Sequence, residues 1–161
     1  MSDIKSEDQR FLARAIALSR DHMNNGAGGP FGAVVVRDGK VLGEGWNQVT
    51  SAKDPTAHAE VVAIRRACEA VGDFSLQGAT IYTSCEPCPM CLASAYWARV
   101  SRIVYANTRE DAAEIGFDDS LIYEEIPKPA SERIIAMDHV PSLEARAVFD
   151  AWAEKPDKVT Y

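Results

Sequence analysis

The 161-residue sequence predicts a layered α/β fold. Three observations carry that expectation. Helix-period and strand-type segments alternate along the first two thirds of the chain. Asp38-Gly39 stands between two short apolar runs as a hairpin turn. Two segments rich in reactive side chains, around His58 and around Cys88, each open a helix directly after a loop or strand, which brings their N-termini to one sheet edge.

Taken in order, Ser6 and Gln9 have the spacing of a capping box, and Phe11, Leu12, Ala15, Ile16 and Leu18 recur at helical spacing up to about Met23. Asn24 to Pro30 is a glycine-rich turn. It is no phosphate loop, because it has no lysine and does not lead from strand to helix. Phe31–Val36 and Val41–Trp46 read as strands on either side of the hairpin turn. Asn47 to Pro55 is a polar loop crossing the expected site, and Asn47 either satisfies nearby backbone or reads a ligand. Thr56 can cap a helix running through Val61, Ile64 and Cys68 to about Val71. Thr80–Ser84 is a third strand, the Cys88 helix continues through Trp97, and Val100–Ala106 is a fourth strand. Beyond Ala106 the pattern loosens. Glu110–Ile115 suits a short helix, Gly116 to Asp119 a turn, and Ile134–Met137 a last strand or edge segment. Ser142 can cap a final helix through Val148 and Trp152, before a polar tail from Lys155 to Tyr161.

Composition narrows the class. A chain that is 47% hydrophobic and 25% charged can bury a full core as one domain. The opening residues are polar, and no apolar run reaches the roughly 18 residues of a membrane span, so a soluble, unexported protein is expected. Three of the four cysteines fall within seven residues, a spacing for metal ligation in a reducing compartment, the cytoplasm, rather than for disulfides. The net charge of -7 argues against a nucleic-acid partner, which usually meets a basic face. A small or nearly neutral substrate fits better.

The chemistry is concentrated in Cys85-Glu86-Pro87-Cys88-Pro89-Met90-Cys91 and His58-Ala59-Glu60. Cys88 and Cys91, three apart at a helix start, face the same way, and the unpaired N–H groups of that turn stabilise thiolates. His58 is the best third ligand for a zinc ion, which leaves one position for water and Glu60 beside it as a proton carrier. Three ligands, an open position and a spare carboxylate form the His-x-Glu and Pro-Cys-x-x-Cys signature of zinc deaminases. The competing reading is a closed structural zinc module, in which Cys85 would be the fourth ligand. Cys85 ends a strand-like run ahead of the Glu86-Pro87 turn, so it is expected to point elsewhere as a small buried hydrophobe.

With these motifs in place, the sequence resembles the zinc-dependent cytidine deaminase-like superfamily and, within it, the bacterial guanine deaminases. The likeness runs from Gly29-Pro30-Phe31-Gly32-Ala33-Val34 through Asp54 to Glu60 and Thr83 to Cys91. It continues to Gly116-Phe117-Asp118-Asp119-Ser120 and the closing Tyr161. The last two features narrow it to the guanine branch.

That resemblance implies a three-layer α/β/α sandwich with a central mixed sheet of about five strands. It implies one zinc ion per subunit on His58, Cys88 and Cys91, with Glu60 as catalytic proton shuttle. A purine slot would involve Phe31, Asn47, Ala59, Trp97, Asp119 and Tyr161. The implied reaction is hydrolysis of guanine to xanthine and ammonia. The implied assembly is a homodimer that exchanges C-terminal segments, so that Tyr161 closes the partner's pocket. Deamination of guanosine or another nucleoside is the runner-up, and tRNA adenosine deamination is a further alternative.

Overall fold

In the computed structural model, residues 6–161 are described, and the chain forms two compact units, the first ending at Asp119 and the second spanning Ser120–Tyr161. The expected capping box lies at the edge of the described residues: Ser6 is already helical, the first residue of α1 (Ser6–Asn24). This helix buries Phe11, Ala15 and Leu18, the stripe its spacing predicts.

Strand β1 (Gly32–Arg37) pairs antiparallel with β2 (Lys40–Trp46). Asp38 and Gly39 between them have φ of 53° and 71°, the left-handed pair of a tight hairpin turn whose twist matches the strands. β3 (Thr80–Cys85) pairs antiparallel with β1 and parallel with β4 (Arg102–Asn107), giving a mixed sheet in the order β2-β1-β3-β4.

Strand alternation sorts the core onto two faces. Val34, Val36 and Tyr82 pack with Phe11, Ala15 and Leu18 of α1. Ala33, Val35 and Ile81 pack on the other side with Ala59, Ala63 and Ala67 of α3 (Ala59–Val71) and Ala95 of α4 (Pro89–Trp97). Helices on both faces make the first unit a three-layer α/β/α arrangement. Under the α1 layer, the 2%-exposed Asp8 accepts a hydrogen bond from the Tyr82 hydroxyl at 2.8 Å and two from the Arg102 guanidinium at 2.8 and 2.9 Å. A buried carboxylate is tolerable when it is matched in this way.

Among the described residues the sheet has four strands rather than about five. Ile134–Met137, expected as the last, forms no strand. Its backbone is engaged otherwise: the Ile134 amide donates to Glu125 Oε2 at 2.7 Å. The Arg133 guanidinium meanwhile donates to the Glu125 and Ile126 carbonyls. With Ile134 and Ile135 also 72% and 79% exposed, no alternating face is buried to hold a register.

Two short helices escaped the sequence pattern, α2 (Val49–Ala52) inside the polar loop and α6 (Ser120–Glu125) at the start of the second unit. Between these, α5 (Arg109–Glu114) carries a capping box from Thr108 and Asp111. The final helix α7 (Leu143–Glu154) starts where expected, with the Ser142 hydroxyl accepting from the Ala145 amide.

Candidate metal centre and active site

The two reactive segments are built the same way. His58 is the N-cap of α3, still extended at φ -69° and ψ 154°, and Cys88 is the N-cap of α4 at φ -65° and ψ 168°. Thr56, expected to cap the first of these helices, is instead turned back onto Asp54, which accepts from its amide at 2.8 Å and its hydroxyl at 2.7 Å. The chain therefore reaches His58 before winding starts. Pro89 at the first helical position of α4 needs no amide partner and pre-sets the turn. Cys91, two residues further on, faces back toward Cys88.

Both helix starts meet in one cluster. His58 Nδ1 lies 3.5 Å from Cys88 Sγ and 3.5 Å from Cys91 Sγ, and the three ligand atoms all lie within 4.8 Å of one another. The edge of a tetrahedron with Zn–S of about 2.3 Å and Zn–N of about 2.0–2.1 Å is roughly 3.5 Å long, so the triad has the dimensions of a zinc site. Two sulfurs and one imidazole are also the donor set that ion prefers. One zinc ion per chain fits here. The group stops at three among the described residues.

Protonation follows from the crowding. The Cys88 thiolate accepts from Cys91 and faces His58, which pushes its pKa down to about 4. Cys91 is pushed up by the same pairing and by burial, and His58 is raised by its hydrogen bond with Cys88. A divalent cation binds the sulfurs as thiolates and the imidazole as the neutral ring, so its binding displaces the protons held in this cluster.

Glu60, at 7% exposure, sits one helical step inside α3 with Oε2 3.4 Å from Cys91 Sγ. It borders the triad without joining it. Burial raises its pKa above the ordinary carboxylate range. Cys85, the alternative fourth ligand, is buried on β3 with its thiol directed at the Thr108 carbonyl 3.6 Å away, and burial lifts its pKa to about 11. It stays outside the ligand group.

The other expected residues fall as follows. Asn47 is buried, and its Oδ1 accepts from the Gly29 amide at 3.2 Å and the Val49 amide at 3.1 Å. Those two bonds occupy the carbonyl side of the carboxamide, so the group it can offer a ligand is the Nδ2 donor. The Asn47 amide in turn donates to the Phe31 carbonyl at 3.0 Å, tying both residues into one wall. Phe31 meets Phe117 edge to face at 4.9 Å. Ala59 is fully buried in the opening turn of α3. Asp119 is half-buried, its pKa raised first by that burial and then by the Cys88 charge, so its carboxyl feels the metal cluster. Trp97 is 63% exposed and stands at the opposite end of α4 from Cys88, roughly 13 Å along the axis at 1.5 Å per residue. Tyr161 belongs to the second unit and is exposed.

Sequence reasoning missed two neighbours. Phe117 completes the Phe31 wall, and Thr83, buried on β3, places its hydroxyl 3.5 Å from Glu60 Oε1. Strand alternation from Ile81, which packs against α3, puts Thr83 on the face that carries the site.

Fold and site together define a zinc-dependent deaminase. Residues 5–107 match the family described as the cytidine and deoxycytidylate deaminase zinc-binding region, and the chain belongs to that family. Within it, the chain is 52% identical over 153 residues to the guanine deaminase of Bacillus subtilis, spanning 95% of this chain and 98% of that protein. The X-ray structure of guanine deaminase from Bacillus subtilis superposes with a TM-score of 0.92 at 52% identity over 95% of this chain and 98% of that one. A guanine deaminase from Nitrosomonas europaea gives a TM-score of 0.67 at 28% identity, over 79% of this chain and 69% of its own. The tRNA-specific adenosine deaminase of Agrobacterium fabrum is 47% identical over only 76 residues, 47% of this chain and 50% of that protein.

Proposed function

We propose that this chain hydrolyses guanine to xanthine and ammonia. The observation that carries this reading is the three-donor cluster of His58, Cys88 and Cys91 with Glu60 buried beside it. The full-length likeness to a guanine deaminase supports the choice of base. A zinc ion with three protein ligands supplies a water acidified to a pKa of about 7, available as nucleophile at neutral pH.

The chain's own residues do the rest. Glu60 takes the first proton of the attacking water and delivers it to the ring nitrogen beside C2 as the C2–O bond forms, then takes the remaining hydroxyl proton and passes it to the amine as the C2–N bond breaks and ammonia leaves. Such transfers are worth about 10² to 10⁴ in rate. Asn47 donates through Nδ2 to an acceptor on the base, and Asp119 accepts from its N–H edge. Phe31 packs on the ring face and Ala59 lines the slot beneath it. Polar readout of this kind discriminates strongly, because a wrong base leaves buried groups unpaired.

The working form is a cytoplasmic homodimer with exchanged C-terminal segments, in which the partner's copy of Tyr161 closes the slot. Apolar exposure in the second unit supports a covering partner: Leu143 is 91% and Phe149 73% exposed in the single chain. Cytoplasmic residence is supported by four free cysteines.

The test is a panel of guanine, guanosine, adenosine, cytosine and cytidine offered to zinc-loaded protein, with ammonia release and absorbance as readouts. Turnover of guanine well above the nucleosides is expected. No ammonia from any of the five would return the chain to a zinc-binding module without catalysis.

A further inference from the structure

We infer that Thr83 is a positioning residue for Glu60, holding its carboxyl group so that one oxygen stays turned toward the metal cluster. The inference rests on the deaminase reading above.

Glu60 has two oxygens and two different neighbours. Oε2 is 3.4 Å from Cys91 Sγ, on the ligand side, and Oε1 is 3.5 Å from the Thr83 hydroxyl. A carboxyl group turns freely about its last bond unless both oxygens are engaged, and Thr83 is the side-chain hydroxyl within reach of the second one. Thr83 is itself held firmly. It is 1% exposed, sits mid-sheet opposite Ala33 on β1 and Tyr105 on β4, and its β-branched side chain has few rotamers.

A hydroxyl suits this place for a chemical reason. Glu60 receives and releases its proton on Oε2, the oxygen turned toward the metal cluster, so Oε1 needs a partner that donates and takes no proton away. Thr83 Oγ1 also lies 2.9 Å from the Cys85 carbonyl, the acceptor for its single hydrogen when that is not turned to Glu60. Rotated toward Glu60, the hydroxyl donates to Oε1 whether the group is charged or protonated on Oε2, which leaves the proton on the side that faces the cluster. A valine of the same shape cannot donate, while a serine can. The distance of 3.5 Å is longer than the usual O–H···O bond of about 2.7–2.8 Å, as contacts of catalytic groups often are before substrate closes the site.

The experiment compares four zinc-loaded proteins: the parent, Thr83→Val, Thr83→Ser and Thr83→Ala. Steady-state kinetics on guanine is measured alongside zinc per chain. The expected result is a fall in kcat of about 10- to 100-fold for Thr83→Val, with KM within about threefold and one zinc per chain retained. Thr83→Ser should recover kcat to within about threefold of the parent, and Thr83→Ala should stay as slow as the valine variant. If Thr83→Val does not fold, the Ser and Ala pair alone isolates the hydroxyl. A Thr83→Val kcat within twofold of the parent overturns the inference. So does a serine variant as slow as alanine, a loss confined to KM, or a loss that follows zinc content. A parent inactive on guanine would instead sink the functional reading.

Discussion

Gly45 and Ala59 meet backbone to backbone across β2 and α3. A Cβ on Gly45 would press into the Ala59 carbonyl oxygen and lie 2.5 Å from the Ala63 amide nitrogen. Because Ala59 follows His58 and precedes Glu60, this contact sets the height of the active-site helix above the sheet. Gly45→Ala should push the opening turn of α3 outward, costing about 1–3 kcal/mol of stability as overpacking does. Urea unfolding and zinc titration check it. Both stability and metal affinity should fall, and a variant with parental values in both would separate the contact from the site.

Glu60→Gln keeps the size and hydrogen-bonding reach of the side chain but removes the proton carrier. Turnover should drop by about 10² to 10⁴, with one zinc per chain retained, because Glu60 stands outside the ligand triad. Metal analysis next to single-turnover kinetics separates chemistry from ligation. Substantial activity in this variant would take the proton work away from Glu60.

Asn47 has two tasks, and one substitution divides them. Asn47→Asp keeps the oxygen that accepts from the Gly29 and Val49 amides but loses the Nδ2 donor. The expected outcome is kcat/KM for guanine lowered by about 10- to 100-fold, with a melting temperature close to the parent's. Asn47→Ala, by contrast, strands two backbone donors and should cost about 1–3 kcal/mol as well. Parental kinetics in Asn47→Asp would show that the donor is not read.

Tyr82 makes stability depend on alkaline pH. Burial, followed by its hydrogen bond to Asp8, pushes its pKa up to about 12 from 10.0. The folded state therefore favours the protonated phenol. Its contribution is complete below about pH 10 and is lost as pH rises toward 12, at up to roughly 1.4 kcal/mol per pH unit. Unfolding free energies of the parent and Tyr82→Phe should differ most at pH 7–9 and converge above pH 10. A gap that stays constant to pH 12 would contradict the assignment.

Segment exchange has a signature that single variants lack. If the partner's Tyr161 closes each slot, a mixed dimer of Glu60→Gln and Tyr161→Ala chains contains one intact site. Co-refolding the two impaired proteins should restore about a quarter of parental activity, since half the dimers are mixed and half their sites are whole. Mixed dimers that form without a gain in rate would place Tyr161 outside the neighbouring slot.

Much of the first unit was legible because its signals are local. The period of Phe11, Ala15 and Leu18, the Asp38-Gly39 turn and the Cys88-Pro89 helix start each depend on residues close in sequence. The placement of His58 was less so. Thr56 has a capping side chain, but Asp54 captures it two residues earlier, a competition between neighbours that propensity does not rank. The fifth strand failed for a longer-range reason. Ile134–Met137 has strand composition, yet the Glu125 carboxylate takes the Ile134 amide, and Ile134 and Ile135 stay exposed with no partner strand among the described residues to hold a register. Thr83 and Phe117 matter through what they face, and composition does not report facing.

His58 and Cys88 are 30 positions apart, and each stands one residue ahead of a helix. An ion gripping both is therefore a cross-link that closes a loop holding all of α3 and β3, and its removal restores freedom to the whole loop rather than to three side chains. Chelation should act on this protein as reduction acts on a disulfide-tied one. The melting temperature should climb with the logarithm of free zinc, and the enzyme's lifetime at a given temperature should be set by how tightly its environment buffers that ion.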